Sequence, residues 1–182
     1  MDATPLLEGT RLRLTALTTD DLPVVVRWHQ DPGFLRMYDA RPAKPRTEGD
    51  LREWIEAQNR SNNAFLFAIQ SHESELVGLV EIDGILWAHG VGSIAYCIGV
   101  AAERGKGYGT EAGELALAFA FHEINLHRME ATVFSYNRSS IRLLERHGFV
   151  REGVHREFLE RNGQRHDMLL YGLLRREWEA SR

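Results

Sequence analysis

The sequence has one cysteine, Cys97, in 182 residues. It can close no disulfide within the chain and build no thiolate cluster around a metal, which fits a reducing, cytoplasmic compartment. No apolar run approaches the ~18 residues that would span a bilayer. The first ten residues, MDATPLLEGT, lack the basic start and the apolar stretch of a secretion signal. Excess basic charge is missing too. The formal net charge is −4, so no global field favours nucleic acid as a partner. The eight histidines show no HExxH spacing, and no metal site is expected. Repeats, low-complexity tracts and linkers are also lacking. The chain therefore reads as one domain over residues 8–179, large enough to bury a sizeable core.

What is present is an alternation of helical and strand-like patterns. RLRLTAL (11–17) alternates and predicts a strand, and TTDDLPVVVRWHQD (18–31) starts with a capping Thr and early acids, as a helix does. Residues 31–46 hold three prolines and predict loop or short helix. Thr47 can cap a helix over 48–60, with Glu48 and Asp50 in the turn where the helix dipole favours anions. Residues 64–70 and 76–88 predict neighbouring antiparallel strands. Further strands are expected at 93–100, 128–134, 150–159 and 165–174, the last two joined by a hairpin at Asn162-Gly163. Helices are expected at 110–124 and 137–149, the second closed by Gly148. The whole is a mixed α/β chain with a largely antiparallel sheet.

Two stretches carry chemistry. The strand SIAYCIGV (93–100) places Ile94, Tyr96, Ile98 and Val100 on one face and the small Ser93, Ala95, Cys97 and Gly99 on the other. Something can approach the backbone on that small face, either a packed helix or a ligand. The stretch ERGKGYGTEAG (103–113) then gathers four glycines into a loop that turns helical. A Walker loop is excluded, because Lys106 lies between glycines and no Gly-Lys-Ser/Thr follows. Gly107, Gly109 and Ala112, with Glu130 downstream, imitate a dinucleotide fingerprint, but AAERGK separates them from the preceding strand and Glu130 begins a strand where it should end one. A third reading takes the whole loop, residues 104–110. Glycines let backbone N–H groups converge, the helix adds its positive end, and Arg104 and Lys106 can neutralise a diphosphate. A plain turn with a capped helix has the same pattern.

Arg104, Gly107 and Gly109 match the motif Arg/Gln-x-x-Gly-x-Gly/Ala at a strand-to-helix junction, and Asn137 and Ser140 give Asn-x-x-Ser ahead of RHGF, REG and Asp167. With these residues the chain resembles the GNAT superfamily of acetyl-CoA-dependent N-acetyltransferases, and within it the RimJ/RimL-like branch. The resemblance runs from RLRL to REWE. It implies the GNAT fold, a mostly antiparallel central sheet flanked by helices. It implies acetyl-CoA as co-substrate, with the diphosphate on Arg104, Gly105, Lys106, Gly107, Tyr108, Gly109 and Thr110. It also implies that the pantetheine arm lies along Ile98, Gly99 and Val100 and near Asn137. The acceptor would be a primary amine, either a protein N-terminus or a small amine such as a polyamine. Homodimers are common among similar proteins.

Moving an acetyl group from a thioester to an amine requires a neutral amine, a donor for the oxyanion and a tolerated thiolate. Many enzymes of this family carry a tyrosine four residues before the Gly of the Gly-Phe pair; this chain has Leu144 there. The resemblance leaves Ser140 as the candidate acid, although a serine there can also bond the helix backbone, and Asn137 can cap the same helix. Glu81 is the candidate base. Asp83 shares its face by strand alternation and can raise its pKa or bind a cationic acceptor. Glu157 and Glu160 are weaker candidates. Trp28, Phe34, Met37 and Tyr38 are expected to line the acceptor site, or else to be core. Two other functions remain compatible with the sequence. A non-catalytic acyl-CoA-binding module is favoured by Leu144, and a nucleotide-binding oxidoreductase by the imitation fingerprint.

Overall fold

The computed structural model describes residues 6–182; residues 1–5, where the reading of the N-terminus for a secretion signal begins, lie outside it. Seven strands form one sheet in the order β1-β2-β3-β4-β5-β7-β6. They are β1 (Leu12–Ala16), β2 (Phe65–Ser71), β3 (Leu76–Leu86), β4 (Val91–Ile98), β5 (Arg128–Phe134), β6 (Val150–Arg161) and β7 (Gln164–Leu174). Every neighbouring pair is antiparallel except β4 with β5, which run parallel. Helices α1 (Leu22–His29), α2 (Pro32–Tyr38) and α3 (Glu48–Arg60) follow β1; α4 (Tyr108–Ala118), α5 (Arg138–Arg146) and α6 (Arg175–Ala180) follow the glycine loop, β5 and β7. Among the described residues no helix is long and apolar enough to cross a membrane.

Alternation along the strands gives the sheet two apolar faces, and a helical layer covers each. Val80, Ile82, Ile94, Met129 and Leu173 pack with Ala112, Ala116, Leu117 and Phe121 from α4 and the π-helical turn that continues it. Leu66, Ala68 and Leu79 pack against Val25, Trp28, Leu51 and Ile55 of α1 and α3. Each large side chain so buried contributes roughly 1.5–3 kcal/mol. The helix expected at 18–31 is divided: Thr18 caps a short 3₁₀ turn over Thr19–Asp21, and Pro23 sits in the first turn of α1. Thr47 caps α3 in a reciprocal box with Asp50, matching the expected 48–60. The Asn162-Gly163 hairpin forms with positive φ at both residues, as a tight two-residue turn needs. The short helix α6 has no counterpart in the expected elements.

The strand expected at 93–100 ends early. Gly99 and Val100 N–H both donate to the Val77 carbonyl, at 3.0 and 3.4 Å, and two donors on one acceptor break the ladder. Val100 consequently turns away from Tyr96 and Ile98 and packs with Cys97 on the α1 side.

Candidate active site

The site begins where β4 and β5 part. They pair only at Val91–Ser93 with Arg128–Glu130; beyond that β4 stays with β3, and β5 stays with β7. In an antiparallel pair the backbone groups of alternate residues face the partner strand. Gly99 donates toward β3, so Ala95 and Cys97 face β3 as well, and the N–H and C=O of Tyr96 and Ile98 face the gap. The backbone donors open to a thioester arm are therefore those of Tyr96 and Ile98. The amides of Gly99 and Val100, expected at this position, are already held by Val77.

The small face of β4 is used in two ways. A Cβ at Gly99 would collide with the Trp28 indole, so at that end it is a helix that approaches the backbone. Four residues earlier on the same face, past Cys97, Ala95 is exposed in the middle of a seven-stranded sheet. The surface above it is open, and Glu81 is its cross-strand partner on β3. Asp83 follows on the same face, opposite Ser93.

Burial, with the Asp83 charge added, pushes the Glu81 carboxyl from 4.5 up to about 7. Gln58 of α3 holds it in place, its Nε2 donating to Glu81 Oε1 at 2.7 Å. Burial also raises Asp83. Tyr38 stands in the field of Cys97 and Glu81, and burial raises its phenol. Cys97 is on the same side, but burial pushes its thiol up to about 12, so it is not a thiolate at neutral pH.

The glycine loop enters α4 through Gly107, which has φ +91° and caps the helix with no side-chain partner for its first N–H groups. A Cβ at Gly107 would lie 2.9 Å from Arg11 Nη2. The three cations at the loop each rest on the protein itself. Arg104 donates to the Ile98 and Gly99 carbonyls at 2.9 and 3.2 Å, and Lys106 pairs with Glu103 at 2.9 Å. Arg11 donates to the Lys106 carbonyl at 2.6 Å and pairs with Glu111 at 2.8 Å, its guanidinium 5.5 Å from the centre of the Tyr108 ring. Uncapped amides, a left-handed glycine and three cations suit a diphosphate. The residues thus fit coenzyme A: the loop for its diphosphate, the gap for its thioester arm.

At the start of α5, Asn137 Oδ1 accepts from Ser140 N–H at 3.2 Å, so Asn137 caps the helix. The Ser140 hydroxyl is no part of that cap. Leu144, standing in the tyrosine position, is 4% exposed in the core and offers no proton. Trp28 and Phe34 are 7% and 5% exposed and belong to the core beneath α1 and α2, which removes them from the acceptor wall. Met37 is exposed beside them, and Tyr38 is half-buried with its ring stacked on Phe34. Glu157 is on a bulge of β6, its N–H donating to Asp167 Oδ1, and Glu160 pairs with Arg165. Both belong to β6, an edge strand that does not pair with the β3 strand carrying Glu81. Sequence reasoning missed Arg11 and Gln58. Arg11 lies just before β1, and its partners are about 100 residues away. Gln58 reads as an ordinary polar position of α3. Neither sits in any local pattern.

The chain matches the Acetyltransferase (GNAT) domain family over residues 11–150. It is 31% identical over 174 residues to the SPbeta prophage-derived uncharacterized N-acetyltransferase YokL of Bacillus subtilis, covering 95% of both chains. It is 32% identical over 141 residues to the putative ribosomal N-acetyltransferase YdaF of the same organism, covering 76% of each. Its fold superposes with a TM-score of 0.86 on a crystal structure of spermidine N-acetyltransferase from Vibrio cholerae in complex with CoA and spermine, at 24% identity over 94% of this chain and 99% of that one. Family match, relatives and fold agree: the chain belongs to the GNAT family of acetyl-CoA-dependent N-acetyltransferases.

Proposed function

We propose that this enzyme acetylates a primary amine, with Glu81 as general base, Ser140 as the acid for the departing thiolate, and residues 104–110 with Arg11 as the diphosphate site. The observation that carries the reading is Glu81: a carboxyl with a pKa of about 7, held by Gln58, beside exposed Ala95 where β4 leaves β5. Acetyl-CoA supplies an activated acyl group whose thiol, with a pKa of about 8.5, leaves without much help. The chain supplies the rest. An acceptor amine arrives largely as an ammonium, of pKa about 7.7–8.0 for an α-amine and about 10.4 for a lysine-type amine. Asp83 draws the cation to the face above Ala95, and Glu81 removes its proton. A base poised near the working pH is efficient in both directions of that transfer. Tyr96 and Ile98 N–H groups face the gap and can hold the thioester arm and its carbonyl oxygen. Because Cys97 remains a thiol, transfer is direct, with no acyl-cysteine.

The RimJ/RimL-like assignment belongs to this proposal. Asn137, Ser140 and the RHGF ending support it, as does the likeness to a putative ribosomal N-acetyltransferase; the fold shared with a spermidine enzyme supports a small amine instead. Thiol release from acetyl-CoA across N-terminal peptides, amino acids and polyamines tests the reading. Release that depends on the amine supports it, and binding of acetyl-CoA without release under any amine contradicts it.

A further inference from the structure

One cavity of about 430 Å³ lies between α2 and the β6–β7 hairpin. Its walls include Arg36, Met37, Tyr136, Arg161, Asn162 and His166, and no carboxylate lines it. Two stretches of chain link it to the acetyl-transfer site. Tyr136 directly precedes Asn137 at the mouth of the β4–β5 gap. On α2, Tyr38 stands in the field of Glu81, while Arg36 and Met37 of the same turn line the cavity.

The charges on the walls have only neutral partners. Arg36 Nη1 donates to the Asn162 side-chain oxygen at 3.0 Å and has no ion pair among the described residues. Arg161 Nη2 donates to the carbonyls of Asp39, Ala40 and Arg41 at 2.9, 3.1 and 3.2 Å, and its buried Nε has no partner. The acids nearby are occupied elsewhere: Asp39 with Arg41, Glu160 with Arg165, and Asp167 with the Glu157 N–H. Tyr136 Oη donates to the Arg36 carbonyl at 2.6 Å, which fixes the turn that carries the guanidinium. Arg161 is largely spent on holding the loop after α2; Arg36 keeps most of its donors.

We infer that this cavity takes an anionic group of the acceptor, a carboxylate or a phosphate carried at a distance from the amine that Glu81 deprotonates. Guanidinium groups suit such oxyanions through paired, charge-assisted hydrogen bonds. The acceptor is then bipolar, its ammonium at Glu81 and Asp83 and its anion at Arg36. A polyamine would bring a second cation against Arg36 and Arg161. The inference rests on the acetyl-transfer reading of the site and narrows it.

The test is thiol release from acetyl-CoA with matched primary amines of equal length, ending in a carboxylate, a phosphonate, a neutral amide or a second amine. Wild-type protein should use the better anionic acceptor with kcat/KM about tenfold or more above the amide, as one charge-assisted contact predicts. The diamine should be poorest, and the carboxylate and phosphonate arms identify which anion is preferred. Arg36→Gln should bring the anionic acceptors to the level of the amide, and Arg36→Glu should place the diamine above them. Arg36 is exposed, and a thermal melt of each variant shows that it is folded. A wild-type preference for the diamine, or an order unchanged by Arg36→Glu, overturns the anion assignment and leaves the transfer chemistry standing. Thiol release with no amine at all overturns both.

Discussion

Glu81→Gln should make the protein more stable above neutral pH and nearly inactive at every pH. Burial raises the Glu81 carboxyl from 4.5 to about 7, so the folded state holds that proton more tightly than the unfolded chain does. For a raised acid, the stabilising contribution is fully present below the unfolded value and is lost as pH rises through the folded one. A difference of about 2.5 pH units at about 1.36 kcal/mol each costs the wild type at most about 3 kcal/mol by pH 8. Glutamine carries no charge to desolvate, and its side-chain oxygen can still accept from Gln58. The variant should therefore melt close to the wild type at pH 5 and above it at pH 8, by at most about 6–12 °C for a domain of this size. Removing the base should lower kcat by about 10²–10⁴. In the wild type, kcat/KM should rise with pH through about 7. Melts by calorimetry at pH 5, 6, 7 and 8 and initial rates by thiol release measure both halves. An offset independent of pH refutes the placement of the carboxyl; a variant that keeps a third or more of the activity refutes its role.

Three other substitutions probe separate parts of the site. Gly107→Glu puts a side chain where φ is +91° and a negative charge among the diphosphate donors, and it should abolish coenzyme A binding in a calorimetric titration. Ser140→Ala should lower kcat more than it weakens coenzyme A binding, while the Asn137 cap, which uses the Ser140 backbone N–H, stays intact and Tm is unchanged. Gly99→Ala drives a methyl group into the buried Trp28 ring and should cost about 1–3 kcal/mol of stability in a denaturant melt, the usual effect of overpacking.

Much of the fold could be read locally because its signals are local. Thr47 and Asp50 cap α3 through contacts three residues apart, and Asn162-Gly163 turns a hairpin by its own backbone preferences. The glycine loop and the Glu81–Asp83 pair were visible for the same reason: spacing along one strand or one turn determines them. What stayed hidden depends on contacts between distant segments. Strand alternation predicted Val100 beside Ile98, but the bond both amides make to Val77 turned it to the other face. Trp28 and Phe34 looked available for a ligand because aromatic composition does not say which face a helix buries. Arg11 braces the glycine loop from the far edge of the sheet, and the cavity beside Arg36 exists only once the hairpin folds over α2. The branching of β4 from β5 is a property of the whole sheet, and no residue pair encodes it.

In the proposed mechanism the amides from Gly107 to Thr110 grip the diphosphate of coenzyme A while its thioester arm enters the gap between β4 and β5. A crystal structure of the complex tests it most directly. Phosphate oxygens should lie within hydrogen-bond distance of those amides, with Arg104 or Arg11 turned toward them and the sulfur near Ser140 on the side of Glu81. Coenzyme A bound elsewhere, with the loop empty and β4 and β5 bridged only by protein, would contradict it.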